Sequence, residues 1–196
     1  MLNGNDAGSM AAAPPVYARH ENVMHPKHGL GRIEGVEERE VAGTRERYVI
    51  LEFSRLSLKV GIPEDGVARS GLRRPNSPED MRVALAVLPE PPVPSRHRMG
   101  RQPNEHDEKL YSGQPELLAE LLRDLADRRD KGRAGVVFRE ALARLAEELA
   151  VADGVSHDEA AALIEAMLPP LPVKASRSSA ARASTEEVAE GADAAK

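Results

Sequence analysis

The sequence predicts an α+β protein of two domains: a small bent β-barrel, then a compact all-α bundle of four to five helices. Three observations carry the bottom-up part of this. Residues 20–73 hold short β-rich runs separated by Gly, Pro and Asp. Small antiparallel barrels and bent sheets are built from such runs. Residues 115–168 hold leucine-rich stretches at helical spacing with short connections. Between them the proline-rich run "PEPPVP" reads as a stiff, extended linker.

In chain order, residues 1–18 carry no period and are expected to be disordered. The first folded unit spans 19–75. In it "RIEGVEEREV" alternates weakly, "AGT" supplies a turn and "RERYVILEF" is a strand, with "LSLKVGIP" and "GVARSGLR" as further short strands. Its expected core is Val23, Leu30, Ile33, Val36, Val41, Tyr48, Ile50, Leu51, Phe53, Leu58, Val60, Ile62 and Val67. The second unit spans 76–170. Its first helix starts at Ser77, with Pro78 at the first helical position and Asp80 three residues after the cap. A helix opening at Pro115 carries Leu117, Leu118, Leu121, Leu122 and Leu125, and Gly132 and Gly135 should break it. "VVFREALARLAEELAVADG" repeats the pattern, and "SHDEAAALIEAMLPP" opens with a capping box, Ser156 with Glu159. Residues 171–196, Ala/Ser-rich and acidic at the end, are expected to be a solvated tail.

Composition narrows the function classes. The net charge of −5 and pI of about 5.7 supply no global field toward nucleic acid, so any DNA contact must be a local patch. There is no cysteine, which excludes disulfides and thiolate metal sites and fits a reducing cytoplasm. No apolar run approaches membrane-helix length. His25 and His28 are three apart, but Pro26 between them prevents a helix, so they need not face one another; a turn pair is favoured over a zinc site. No Gly-rich loop opens a helix after a strand, and no serine has a paired base. No catalytic constellation and no cofactor site is expected.

The strings "HPKHGLGRIEGVEEREVAGTRERYVILEF", "LKVGIPEDGVARSGLR" and "EKLYSGQPELLAELLRDLADRRDKG" resemble the CarD/CdnL family of bacterial transcription regulators over about residues 20–168. The opening "HPxHGxG" pattern and the later "KL-SG" are the most specific parts. The resemblance implies a Tudor-like domain, shared with the transcription-repair coupling factor, that binds the RNA polymerase β subunit. It also implies a helical domain that meets promoter DNA at the upstream edge of the transcription bubble and stabilises the open complex. A cytoplasmic monomer without catalytic activity is the corresponding expectation.

On this chain, edge pairing of the sheet with the polymerase is expected to involve Arg39, Arg55 and Lys59, with Glu37, Arg47 and Glu52 beside them. Arg39 occupies a position that contacts β in the family. The segment 94–104 is the expected DNA arm. Counting back from "KLYSG" places Met99 where the family usually has a tryptophan wedge. Methionine is itself a minor-groove wedge type, and Arg96, Arg98 and Arg101 supply phosphate contacts. Gln102, Pro103 and Asn104 depart from the family's basic and aromatic residues. Arg128 and Arg129 form a second candidate patch, unless they serve the helix C-terminus. Residues 115–170 hold seven Lys/Arg against twelve Asp/Glu. That excess of acid motivates an alternative: an adaptor whose helical domain binds another protein rather than DNA.

Overall fold

A computed structural model of the chain describes residues 17–93 and 103–170. Arg96, Arg98, Met99 and Arg101 lie outside the described residues, as do both expected tails apart from Tyr17 and Ala18.

The N-terminal part is one curled antiparallel sheet, a half-barrel, with strands in sequence order. The strands are β1 (Asn22–His25), β2 (Gly29–Val41), β3 (Thr44–Phe53) and β4 (Leu58–Pro63). A register shift between Ile33 and Gly35 puts a bulge in β2. Bulges raise local twist, as a small curled sheet requires. Val49, Leu51 and Phe53 alternate into one core with Val23, Ile33, Val67 and Leu72. Tyr17, Leu58, Val60 and Ile62 pack against it.

Val36 and Val41 were expected inside but are exposed. They sit where β2 runs past the end of β1, on a two-stranded ribbon that only β3 supports. Ile50 is buried as expected and Tyr48 half-buried, but both lie on the face of β3 opposite Val49 and Leu51. The run "GVARSGLR" contributes no strand. Residues Glu64–Arg69 form a 3-10 turn that seats Val67, and Arg73 makes a single bridge with Met24.

The helices are α1 (Pro78–Leu85), α2 (Pro103–Leu110), α3 (Pro115–Leu125), α4 (Gly132–Asp153) and α5 (His157–Met167). Both expected capping boxes form, Ser77 with Asp80 and Ser156 with Glu159. Their cores merge into one cluster from Met81 to Leu168, centred on Leu121, Leu122, Leu145 and Ile164. Helix α2 was not expected; its sequence, "PNEHDEKL", has no apolar stripe beyond Leu110. The break at Gly132 and Gly135 is corrected to a start, because α4 begins at Gly132. Gly135 lies in its first turn, where a Cβ would come 2.5 Å from the carbonyl oxygen of Arg129. The "PEPPVP" run follows α1, inside the helical part. The link between sheet and helices is instead the short stretch from Arg73 to Ser77.

Candidate functional site

The solvent face of the sheet can be read from its register in rows. Glu37 opposes Tyr48, which opposes Pro63; Gly35 opposes Ile50, which opposes Gly61; Arg32 opposes Glu52, which opposes Lys59. Arg39, opposite Glu46, belongs to the same face. Its guanidinium lies 5.4 Å from the Tyr48 ring centre and pairs with Glu37 at 3.0 Å. A methyl group at Gly61 would lie 3.3 Å from Ile50 Cδ1 and 3.5 Å from Arg39 Nη1 and Tyr48 Cδ1. Ile50, Arg39 and Tyr48 thus close over Gly61, while the space above Gly35 is open. The Tyr48 hydroxyl donates to Glu46, which holds its pKa above the usual value. Beside this face β4 is an edge strand, and Val36–Val41 of β2 has a neighbour on one side only.

Six residues were expected at this surface, and the register divides them into three groups. Glu37, Arg39, Glu52 and Lys59 share the solvent face. Arg47 opposes Glu38 on the other face and pairs with Glu64 at 3.0 Å. Arg55 turns away altogether. It lies in a 3-10 turn after β3 and reaches α4, where its Nε donates to Glu147 (2.7 Å) and its Nη1 and Nη2 to Glu140 (3.1 and 2.9 Å). Burial pushes the Glu140 carboxyl up, but Arg55 and Arg144 outweigh it and hold its pKa below the usual range.

Around Arg55 a polar joint connects sheet and helices, and it had no advance signal in composition or period. Arg144 of α4 is 4% exposed. It donates to the carbonyls of Pro26 (2.6 Å), Lys27 (2.6 Å) and Leu110 (3.2 Å) and to Glu140 (2.8 Å), and lies 4.9 Å from the Tyr111 ring centre. Glu148 of α4 is wholly buried. It accepts two bonds from Arg73 (2.5 and 2.9 Å) and one from the Asn76 N–H (2.9 Å). Arg73 also donates twice to Gly113 O. Glu147 Oε2 accepts the Leu30 N–H (3.2 Å), close against Gly29. A Cβ at Gly29 would sit 2.6 Å from that oxygen, and the residue holds φ +76°. Pro26 fits against Gly71 and Gly113, beside a residual cavity of about 10 Å³.

The two motifs on which the family resemblance rests therefore meet here. "HPKHG" supplies Pro26, Lys27 and Gly29, and "KLYSG" supplies Leu110, Tyr111 and Gly113. His25 and His28 stack at 4.7 Å against Phe53, so they do face one another despite Pro26. Burial, then His28, Lys27 and Arg144, lower the His25 pKa to about 4.

In the helical domain Arg128 is exposed and 3.8 Å from Asp127, and Arg129 caps the 3-10 turn after α3. Arg123, nearly buried, pairs with Glu90 and Asp124. Asp124 also accepts the Val93 N–H at 3.0 Å, and Lys109 pairs with Glu120 at 2.9 Å. Among the described residues there is no group of three metal-ligating side chains, and no helix is long and apolar enough to cross a membrane.

Comparison with known proteins is consistent with this two-part layout. Residues 17–75 match the family model described as "CarD-like/TRCF RID domain", and residues 83–165 match "CarD, C-terminal domain". The chain is 32% identical over 53 residues to "Putative transcription factor YdeB" of Bacillus subtilis (strain 168). That alignment covers 27% of this chain and 35% of the relative.

Proposed function

Because the chain belongs to the CarD-like family of transcription factors, we propose that it binds the RNA polymerase β subunit through the solvent face and adjoining edge of its sheet. The bound protein then brings its helical domain to promoter DNA at the upstream edge of the bubble and stabilises the open complex. The observation that carries the first half is the convergence of Arg39, Tyr48 and Ile50 over Gly61, beside an edge strand. A partner strand added at such an edge gains main-chain hydrogen bonds, and the side chains beside it select the register. Arg39 makes the principal contact, with Lys59 and Glu37 flanking it. Arg47 stands on the opposite wall, and Arg55 is engaged by α4. The DNA arm is the segment 94–104, with Met99 as wedge and Arg96, Arg98 and Arg101 on phosphates. Arg128 and Arg129 are its secondary contacts.

The adaptor alternative drew on the acid excess of residues 115–170. Part of that acid is paired, Glu140, Glu147 and Glu148 in the joint and Glu120 and Asp124 with Lys109 and Arg123, but Arg123 and Arg144 are engaged there as well, so the DNA reading rests on the family rather than on charge.

Pull-down of the full chain on an isolated β fragment tests the first half. Arg39→Glu should abolish capture, and unchanged capture would sink the assignment of that face. Open-complex half-life with Met99→Ala and Met99→Trp tests the second half. If both match the parent chain, Met99 is no wedge.

A further inference from the structure

We propose that Arg55, Arg73 and Arg144 are positioning residues that lock the sheet and the helical domain into one rigid body, so that the place where polymerase holds the sheet dictates where the helices fall on DNA. This rests on the function proposed above. Three observations lead to it. First, the two hydrophobic cores are separate clusters, so burial of apolar surface alone does not set the angle between the domains. Apolar contact is non-directional in any case. Second, the contact between them is made of directional bonds. Two arginines from the sheet side meet three carboxylates of α4, and one arginine of α4 meets carbonyls of the β1–β2 turn. Arginine–carboxylate forks and charge-assisted bonds to carbonyls accept one geometry and reject its neighbours. Third, no buried side-chain nitrogen or oxygen among the described residues lacks a partner. A fully satisfied network fixes orientation, whereas a half-satisfied one would be costly in every arrangement.

The same geometry gives Arg55 its role. Its Nε, Nη1 and Nη2 all donate to Glu140 or Glu147. It acts on the partner only through the orientation of α4. Gly29 and Gly113 belong to the device as well. The first lets Glu147 reach the strand backbone, and the second offers its carbonyl to Arg73 while leaving room for Pro26.

The chain has no cysteine, so Ala68→Cys on the sheet side and Glu165→Cys on α5 can be spin-labelled without background. Both positions are exposed and outside the joint. Pulsed electron–electron distance measurement on the full chain should give one narrow peak. Arg55→Glu should broaden it, as should the milder Arg55→Met, which keeps the stem packing and covers the case in which Arg55→Glu fails to fold. Arg55→Lys, which keeps a cation beside Glu140 and Glu147, should broaden it least. An equally narrow peak in both Arg55→Glu and Arg55→Met, or a broad one in the parent, overturns the proposal.

The functional consequence is read with holoenzyme on a forked promoter. Arg55→Glu should keep polymerase capture yet shorten the open-complex half-life several-fold, with the smallest loss in Arg55→Lys. Loss of capture by Arg55→Glu with an unchanged, narrow distance peak would make Arg55 a direct partner contact and refute its positioning role. If the parent itself fails to bind polymerase, the proposed function falls, while the distance measurement still decides whether the joint is rigid.

Discussion

Glu148→Gln is the most informative single perturbation of the joint. The carboxylate is wholly buried and accepts three hydrogen bonds, two from Arg73 and one from the Asn76 N–H. Glutamine matches its volume but brings one carbonyl oxygen and an amide that is itself a donor. At least one Arg73 N–H then faces another donor, and the guanidinium loses its counter-charge. Removing one partner of a buried pair costs about 3–5 kcal/mol. Arg73 is partly exposed and keeps the carbonyls of Gly113 and Arg74, so the expected loss is smaller, about 2–3 kcal/mol. At a urea slope of roughly 2 kcal/mol per molar, the unfolding midpoint should fall by about 1–1.5 M. Far-UV circular dichroism reports the helices and tyrosine fluorescence reports mainly the sheet. The two transitions should coincide in the parent chain and separate in the variant, because the joint couples the domains. A midpoint within about 0.2 M of the parent, with coincident transitions, would refute the assignment of Glu148 as a buried ionic anchor.

Other perturbations read other parts of the same picture. His25, neutral in the fold with a pKa of about 4, takes up protons more readily when unfolded, where the ordinary value applies. Its contribution is complete above about pH 6.5 and is lost as the pH falls toward about 4. With allowance for partial exposure the loss is about 2 kcal/mol. Urea midpoints from about pH 7 down to 5 should show the slope, and His25→Gln should flatten it; an identical slope in the variant would remove His25 as its source. Glu140 adds to acid sensitivity at lower pH, because its depressed pKa makes its contribution present above the ordinary carboxylate value and lost below it. Gly29→Ala meets both a left-handed backbone and the Glu147 oxygen, whereas Gly154→Ala meets a left-handed backbone in open space. Strain alone is about 1–2 kcal/mol, so thermal melts should rank Gly29→Ala clearly below Gly154→Ala, and equal melting would remove the close approach from the account. On the sheet, Lys59→Glu should weaken capture by β less than Arg39→Glu does, and Arg47→Glu should weaken it least. Arg47→Glu as the most damaging of the three would move the contact to the other face.

The proposed polymerase face was partly legible in the sequence. Glu37, Arg39 and Lys59 were marked by alternation and resemblance, and register brings them together. Arg47 and Arg55 carried the same marks and went elsewhere. Arg47 shares the pleat side of Val49 on β3 and Arg55 lies in the turn beyond the end of β3, whereas the bulge near Glu34 in β2 is what turns Glu37 and Arg39 to the solvent face. Val36 and Val41 failed for a related reason: an apolar residue in a strand is buried only where a neighbouring strand or turn covers it.

What the sequence determined by itself is what local physics can decide. It holds the β-then-α order, both capping boxes, the leucine faces of α3 and α4, the absence of cysteine chemistry and the family strings. Only the tertiary structure decided that "HPKHG" and "KLYSG" meet each other. It also decided that Glu147 and Glu148, two ordinary helix carboxylates in sequence, are buried against arginines. A period marks which face of a helix is apolar. It says nothing about a polar pair more than seventy residues apart in the chain, because such a pair is defined only when distant backbones come within hydrogen-bonding reach.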